Sequence, residues 1–85
     1  MELSGTTSDE ERLRSGLAAL FRVAIEDLDG RFPQQPADWD SMEVLATIAL
    51  LDQLHGVTVP TDELVRCRSA GELATLARRA AGREG

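Results

Sequence analysis

Three times along this chain a residue that suits a helix N-cap stands three positions ahead of a glutamate: Ser8 before Glu11, Asp40 before Glu43 and Ser69 before Glu72. That is the capping-box spacing, in which the first side chain accepts a hydrogen bond from the N–H three residues on and the glutamate reaches back to the cap. One such pair is common by chance. Here each precedes a run with the apolar period of a helix, so the chain announces three helices and leaves little length for anything else.

The first run places Leu13, Leu17, Leu20, Phe21 and Ala24 on one stripe opposite Arg12, Arg22 and Glu26. It is expected to fade near Asp29-Gly30, since glycine is the usual helix stop. GRFPQQPAD follows, a loop by its prolines and glycine, from which Phe32 should fold back onto the core. The second run, SMEVLATIALLDQLH, ends at Gly56. Val57-Thr58-Val59-Pro60 alternates but is too short for a useful strand, and Thr61 to Val65 can make a single helical turn. The last run carries Leu73, Leu76, Ala77 and Ala80 and closes on Arg78, Arg79 and Gly82, a favourable C-terminal arrangement. The pattern predicts an all-α fold: a small bundle of three main helices plus one short helix, with a long loop between the first two. Its predicted core is Leu17, Leu20, Phe21, Val44, Ile48, Leu51, Val59, Leu64, Leu73 and Leu76. A length of 85 residues gives one domain, 1–85, of which 1–7 and 83–85 are expected to fray.

Composition removes several function classes. With 42% apolar and 28% charged residues the chain is globular in character, and a net charge of −6 argues against nucleic acid, whose phosphates need clustered Lys and Arg. No apolar run reaches membrane-spanning length and the start, MELSGTTSDEER, is acidic, so neither a span nor a signal peptide is expected. The one cysteine, Cys67, cannot form an internal disulfide, and a cytoplasmic location is the expectation. One histidine, no tyrosine and no lysine leave few general bases. A Ser41–His55 pair would sit at opposite ends of one helix. One His and one Cys are too few for zinc, so no metal is expected.

The second helix is the informative element. On a wheel of about 100° per residue, Val44, Ile48, Leu51 and His55 form one narrow stripe, the core side. Met42, Leu45, Ala46, Ala49 and Gln53 lie opposite, where a bundle helix normally carries charge; Glu43 and Asp52 stand only at the edges. Two expectations stand side by side: a helix buried on both faces, or an exposed docking strip. Cys67 reads as a small buried or half-buried apolar residue, His55 as a satisfied structural histidine and Trp39 as a core or loop anchor. Arg66, Arg68, Arg78, Arg79 and Arg83 read as a solvated face. Taken alone, Ser41 is a second capping residue beside Asp40.

Asp40-Ser41-Met42 at this helix start and Leu54-His55-Gly56-Val57-Thr58-Val59-Pro60 at its end resemble the Asp-Ser-Leu…Phe-Gly-Ile-x-Ile-Pro pattern of acyl carrier proteins, and the nineteen residues from Ser41 to Pro60 match the family's spacing. The Thr61-Asp62-Glu63-Leu64 turn and the run from Ser69 to Leu76 are similar to the family's third and fourth helices. The likeness covers nearly the whole chain and is strongest from Asp38 to Leu76. It implies that Ser41 receives 4′-phosphopantetheine from a phosphopantetheinyl transferase. It further implies a discrete carrier, not an enzyme, that presents an acyl or aminoacyl thioester to an acyltransferase, ketosynthase or adenylating ligase of polyketide, fatty-acid or antibiotic synthesis. The implied carrier is a monomer whose partner face comprises Asp40, Met42, Glu43, Leu45, Ala49, Asp52, Asp62 and Glu63. The physics agrees with a modified serine here, because unpaired N–H groups and the helix dipole favour an anion at a helix start.

The chain also departs from the family. His55 stands where Phe is usual, Met42 replaces Leu, and Ala46 and Gln53 occupy positions that are often acidic. Asp-Ser-Met occurs in D-alanyl carrier proteins too, which keeps an aminoacyl cargo open, and Trp39 resembles the Trp-Asp-Ser-Leu variant of discrete natural-product carriers. Two other classes remain in view. One is a cofactor-free helical interaction domain using Met42, Leu45 and Ala49; the other is a small hydrolase using Ser41, with no visible base.

Overall fold

The computed structural model describes residues 9–84. Five α-helices follow in order: α1 (Asp9–Phe21), α2 (Leu28–Arg31), α3 (Ser41–His55), α4 (Thr61–Leu64) and α5 (Ala70–Glu84). Single 3-10 turns, Ile25–Asp27 and Pro36–Asp38, precede α2 and α3. Helix α1 packs along α3 and α5, while α4 bridges α3 and α5. The helical bundle is as expected, but it holds two short helices rather than one.

Two of the three capping-box pairs fall on described residues; the one at Asp40 closes fully and the one at Ser69 in half. Asp40 Oδ1 accepts from the Met42 N–H at 3.2 Å, and the Asp40 N–H donates to Glu43 Oε1 at 3.2 Å. At α5, Ser69 Oγ accepts from the Glu72 N–H at 3.1 Å, while Glu72 Oε1 reaches one residue past the cap to the Arg68 N–H at 2.7 Å. Ser8 lies outside the described residues, as do 1–7, so their expectations lie there too. Helix α3 ends as its glycine dictates: Gly56 turns left-handed at φ 66 and its N–H donates to the Asp52 carbonyl at 2.8 Å. Helix α5 does not stop at Gly82 but continues to Glu84.

The end of α1 departs most from expectation. The helix stops at Phe21, well before Asp29-Gly30, in a Schellman closure. Arg22 turns left-handed at φ 62, its N–H donates to the Ala19 carbonyl at 3.2 Å, and the Val23 N–H donates to the Ala18 carbonyl at 2.9 Å. Glycine is the residue that signals this turn; an arginine conceals it. Ala24 is consequently exposed and off the helix, Leu20 is only half-buried, and Gly30 sits inside α2 rather than ending α1. The gain is Leu28, fully buried, which the early stop swings back under α1. A non-glycine residue in this conformation costs roughly 1–2 kcal/mol, against about 0.5–1 kcal/mol of extra chain freedom lost by glycine. Arg22→Gly is therefore expected to stabilise the fold by about 0–1.5 kcal/mol, read as a higher urea midpoint at unchanged slope. A lower midpoint would mean that the Arg22 side chain contributes more than its backbone costs.

The core is centred on Leu13, Leu17, Leu28, Leu51, Leu64 and Leu73, all fully buried. Of the predicted core, Val44, Val59 and Leu76 are also buried, whereas Phe21 and Ile48 are half-buried against it. The expectation for Phe32 is met, and Val57 joins it inside. On α5 the buried face includes Ala70, Ala74, Ala77 and Ala80, whose short side chains let that helix approach closely. Gly16 does the same for α1, since a Cβ there would come within 2.8 Å of Leu50 Cδ1.

Candidate functional site

The start of α3 is held from below by the chain's three aromatic rings. Phe21 at the end of α1, Phe32 just after α2 and Trp39 two residues before Ser41 make three edge-to-face contacts, with centroid separations of 5.8, 6.0 and 5.6 Å. Such pairs contribute about 0.5–1.5 kcal/mol each beyond their buried area. They tie the long first loop to α1 and so aim the chain entering α3. Gln34 adds a second tether, donating from Nε2 to the carbonyls of Phe32 at 3.1 Å and Arg68 at 2.9 Å. Trp39 is thus an anchor, as expected; its indole Nε1 is buried without a hydrogen-bond partner among the described residues.

Ser41 is the first residue of α3 and is exposed. It does not share the capping work: the box is closed by Asp40 and Glu43 alone. That overturns the expectation of a second capping residue, and it leaves a solvent-facing hydroxyl with no hydrogen bond among the described residues. Its backbone stands in the first turn, at the positive end of the helix dipole, where a negative group is stabilised. A covalent phosphodiester fits such a position, because the hydroxyl is accessible and the surrounding backbone favours an anion.

Behind Ser41 runs the exposed face of α3. Met42 is 71% exposed and Leu45 64%, and Ala46, Ala49, Asp52 and Gln53 are exposed with them. On the helix wheel these residues and Ser41 share an arc of about 140°. The expectation of a helix buried on both faces therefore fails, and the apolar strip faces solvent. The buried arc is broader than the narrow stripe expected. Its centre includes Thr47, 0% exposed, while Ile48 and His55 move to its edge as half-buried residues. Thr47 was missed because it is polar; its hydroxyl has no hydrogen-bond partner among the described residues. The remaining partner-face candidates divide. Asp40 and Glu43 are occupied in the cap, Asp62 is exposed on α4, and Glu63 is half-buried there.

Two grooves flank the aromatic trio. One, about 350 Å³, lies between the end of α1 and the first turns of α3 and is bordered by Phe21, Arg22, Asp40, Met42 and Ala46. The other, about 360 Å³, opens on the α2 side beside Arg31, Phe32 and Asp38. A larger concavity of about 750 Å³ is formed by α4 and α5 around Cys67, Arg66 and Arg79.

His55 lies at the far end of α3, fourteen residues from Ser41 and so about 21 Å along the axis. It cannot act as the serine's base. Its Nε2 is buried without a hydrogen-bond partner among the described residues, which differs from the satisfied histidine expected from the sequence. Cys67 is buried, as expected, with its Sγ 3.7 Å from the Glu63 carbonyl. Burial, reinforced by the charges of Glu72 and Glu63, pushes its thiol up from 9.0 to about 11. No group of three or more metal-ligating side chains gathers among the described residues, and no helix there is long and apolar enough to cross a membrane. Compared with models of known families, with characterised proteins and with solved structures, the chain gives no match.

Proposed function

We propose that this chain is a discrete carrier protein that bears 4′-phosphopantetheine on Ser41 and presents an acyl or aminoacyl thioester to biosynthetic enzymes. One observation carries the proposal: an exposed serine hydroxyl at the first position of a fifteen-residue helix, relieved of capping by its neighbour. Supporting it are the Asp40-Ser41-Met42 … Gly56-Val57-Thr58-Val59-Pro60 pattern and the solvent-facing strip beside the serine. In the modification, Ser41 Oγ attacks the β-phosphorus of coenzyme A, the new O–P bond forms, and adenosine 3′,5′-bisphosphate leaves as the serine proton passes to solvent or to the transferase. The group supplies a thiol on a long arm. The chain's part is to expose Ser41, favour the anion at the helix start and offer a docking face.

Cys67 makes the test clean. A thiol with a pKa of about 11 is about one part in a thousand ionised at pH 8, and it is the thiolate that reacts. The unmodified protein should therefore alkylate slowly, and loading by a phosphopantetheinyl transferase with coenzyme A should add both the mass of the arm and one fast thiol. The expected acceleration is on the order of a hundredfold. An unchanged intact mass would overturn the proposal.

The same strip suits a cofactor-free interaction domain, the second reading. Under the carrier reading, docking is dominated by Met42, Leu45 and Ala49 and depends weakly on salt, because apolar contact is not screened as exposed charge is. Leu45→Asp and Ala49→Glu are expected to stay folded by circular dichroism, to accept the arm, and to lose turnover by the partner enzyme. Full turnover by a folded Leu45→Asp variant would return the weight to Glu43, Asp52, Asp62 and Glu63.

A further inference from the structure

Arg22 is the only non-glycine residue with a left-handed backbone among those described, at φ 62. Its side chain gives the fold nothing visible in return, since the guanidinium is exposed and makes no ion pair or hydrogen bond among the described residues. It does border the groove of about 350 Å³ between α1 and the first turns of α3. Phe21, Met42 and Ala46 give that groove apolar walls; Arg22, Asp40 and Glu43 are its charged members. The two carboxylates are already turned to backbone N–H groups in the capping box, each at 3.2 Å. Of the groove's three charged side chains, Arg22 alone has no hydrogen bond or ion pair among the described residues. Asp40 and Met42 also flank Ser41 in sequence, so a group attached to Ser41 starts one residue from this groove, although Ser41 itself does not border it.

Resting on the carrier reading of Ser41, we infer that the groove receives the root of the arm, with Arg22 as the cation facing its phosphodiester. A guanidinium suits this task because its planar fork matches two phosphate oxygens. The dimethyl-bearing carbons next to the phosphate then lie against Phe21 and Met42. Such a seat draws the arm toward the seam between α1 and α3, and it leaves Leu45 and Ala49 clear for a partner. Arg22 in this role is a binding and positioning residue for the arm, not a catalytic one.

The test uses loaded protein and the phosphorus resonance of its phosphodiester. Wild type, Arg22→Gln, Arg22→Gly and Arg31→Gln are each loaded and checked by intact mass. Spectra are then recorded at about 0.01 M and about 1 M salt, between which the screening length falls from about 30 Å to about 3 Å. The expected result is a phosphorus shift in both Arg22 variants relative to wild type, and a salt-dependent shift in wild type that both variants lose. Arg31→Gln, in the neighbouring groove, should match wild type. Arg22→Gly relieves the backbone and keeps a folded variant in hand if the glutamine variant is destabilised. A resonance indifferent to Arg22, or moved equally by Arg31→Gln, overturns the arginine contact while leaving the carrier reading intact. Wild type that takes up no arm overturns both.

Discussion

Ser41→Ala is expected to fold like the wild type and to take up no phosphopantetheine at all. The first half of that expectation comes from the capping geometry. Because Asp40 and Glu43 close the box by themselves, removal of the Ser41 hydroxyl breaks no hydrogen bond among the described residues, and alanine is the strongest helix former. The change in stability should stay within about 0.5 kcal/mol, as for exposed positions without special partners. The second half is absolute, because the hydroxyl is the atom that would form the bond to phosphorus. Intact mass and thermal melting on the same sample read both halves. An alanine variant that still gained the arm would move the attachment elsewhere, and one that unfolded would show Ser41 to be structural after all. The companion variant Asp40→Ala should do the reverse, since loss of a side-chain N-cap costs about 0.5–2 kcal/mol while the serine hydroxyl remains in place.

Leu51→Ala carries the largest expected loss of stability. Leu51 is fully buried at the middle of the inner face of α3, the helix on which α1, α4 and α5 all pack. Truncating such a leucine removes its transfer free energy and leaves a cavity that a close-packed interior only partly collapses, for a cost of about 2–5 kcal/mol. Small domains have total stabilities of about 5–15 kcal/mol, so this variant should sit near the edge of folding. Urea unfolding measures it directly. A loss below about 1 kcal/mol would place Leu51 outside the packed centre, because only sites that collapse freely or lie exposed behave that way. Leu45→Ala on the opposite face should cost little by the same measurement, since that side chain is 64% exposed.

Much of this architecture was written locally. The caps at Asp40 and Ser69, the stop at Gly56 and the helical turn after Pro60 each depend on residues within one turn of one another, so a reader of the sequence meets the whole interaction at once. The candidate site shares that legibility, because Ser41 and its cap are neighbours in sequence. Three features were not legible in this way. Arg22 closes α1 in a conformation that its side chain disfavours, and what selects that conformation is the burial of Leu28 beneath α1, a contact outside the helix. Thr47 sits at the centre of the core face because the wheel puts it there, whatever its polarity, once α3 is clamped between its neighbours. The aromatic trio joins residues 21, 32 and 39; that Phe32 and Trp39 turn inward is readable from the sequence, but that they meet Phe21 and each other is not, because the three are far apart along the chain.

The apolar strip of α3 marks the boundary between the two kinds of information. The sequence determined that Met42, Leu45, Ala46 and Ala49 lie together on one side of a helix, because the helical period is a property of the backbone. Whether that side met the protein or the solvent was decided only by the tertiary structure. Among the described residues, a helix flanked by α1 and α5 on its inner face has no remaining element long enough to cover its outer one, since α2 and α4 span four residues each. Burial is a competition among all the apolar surfaces of a chain for a limited interior. Its outcome depends on how many elements there are and where they pack, which no local pattern contains.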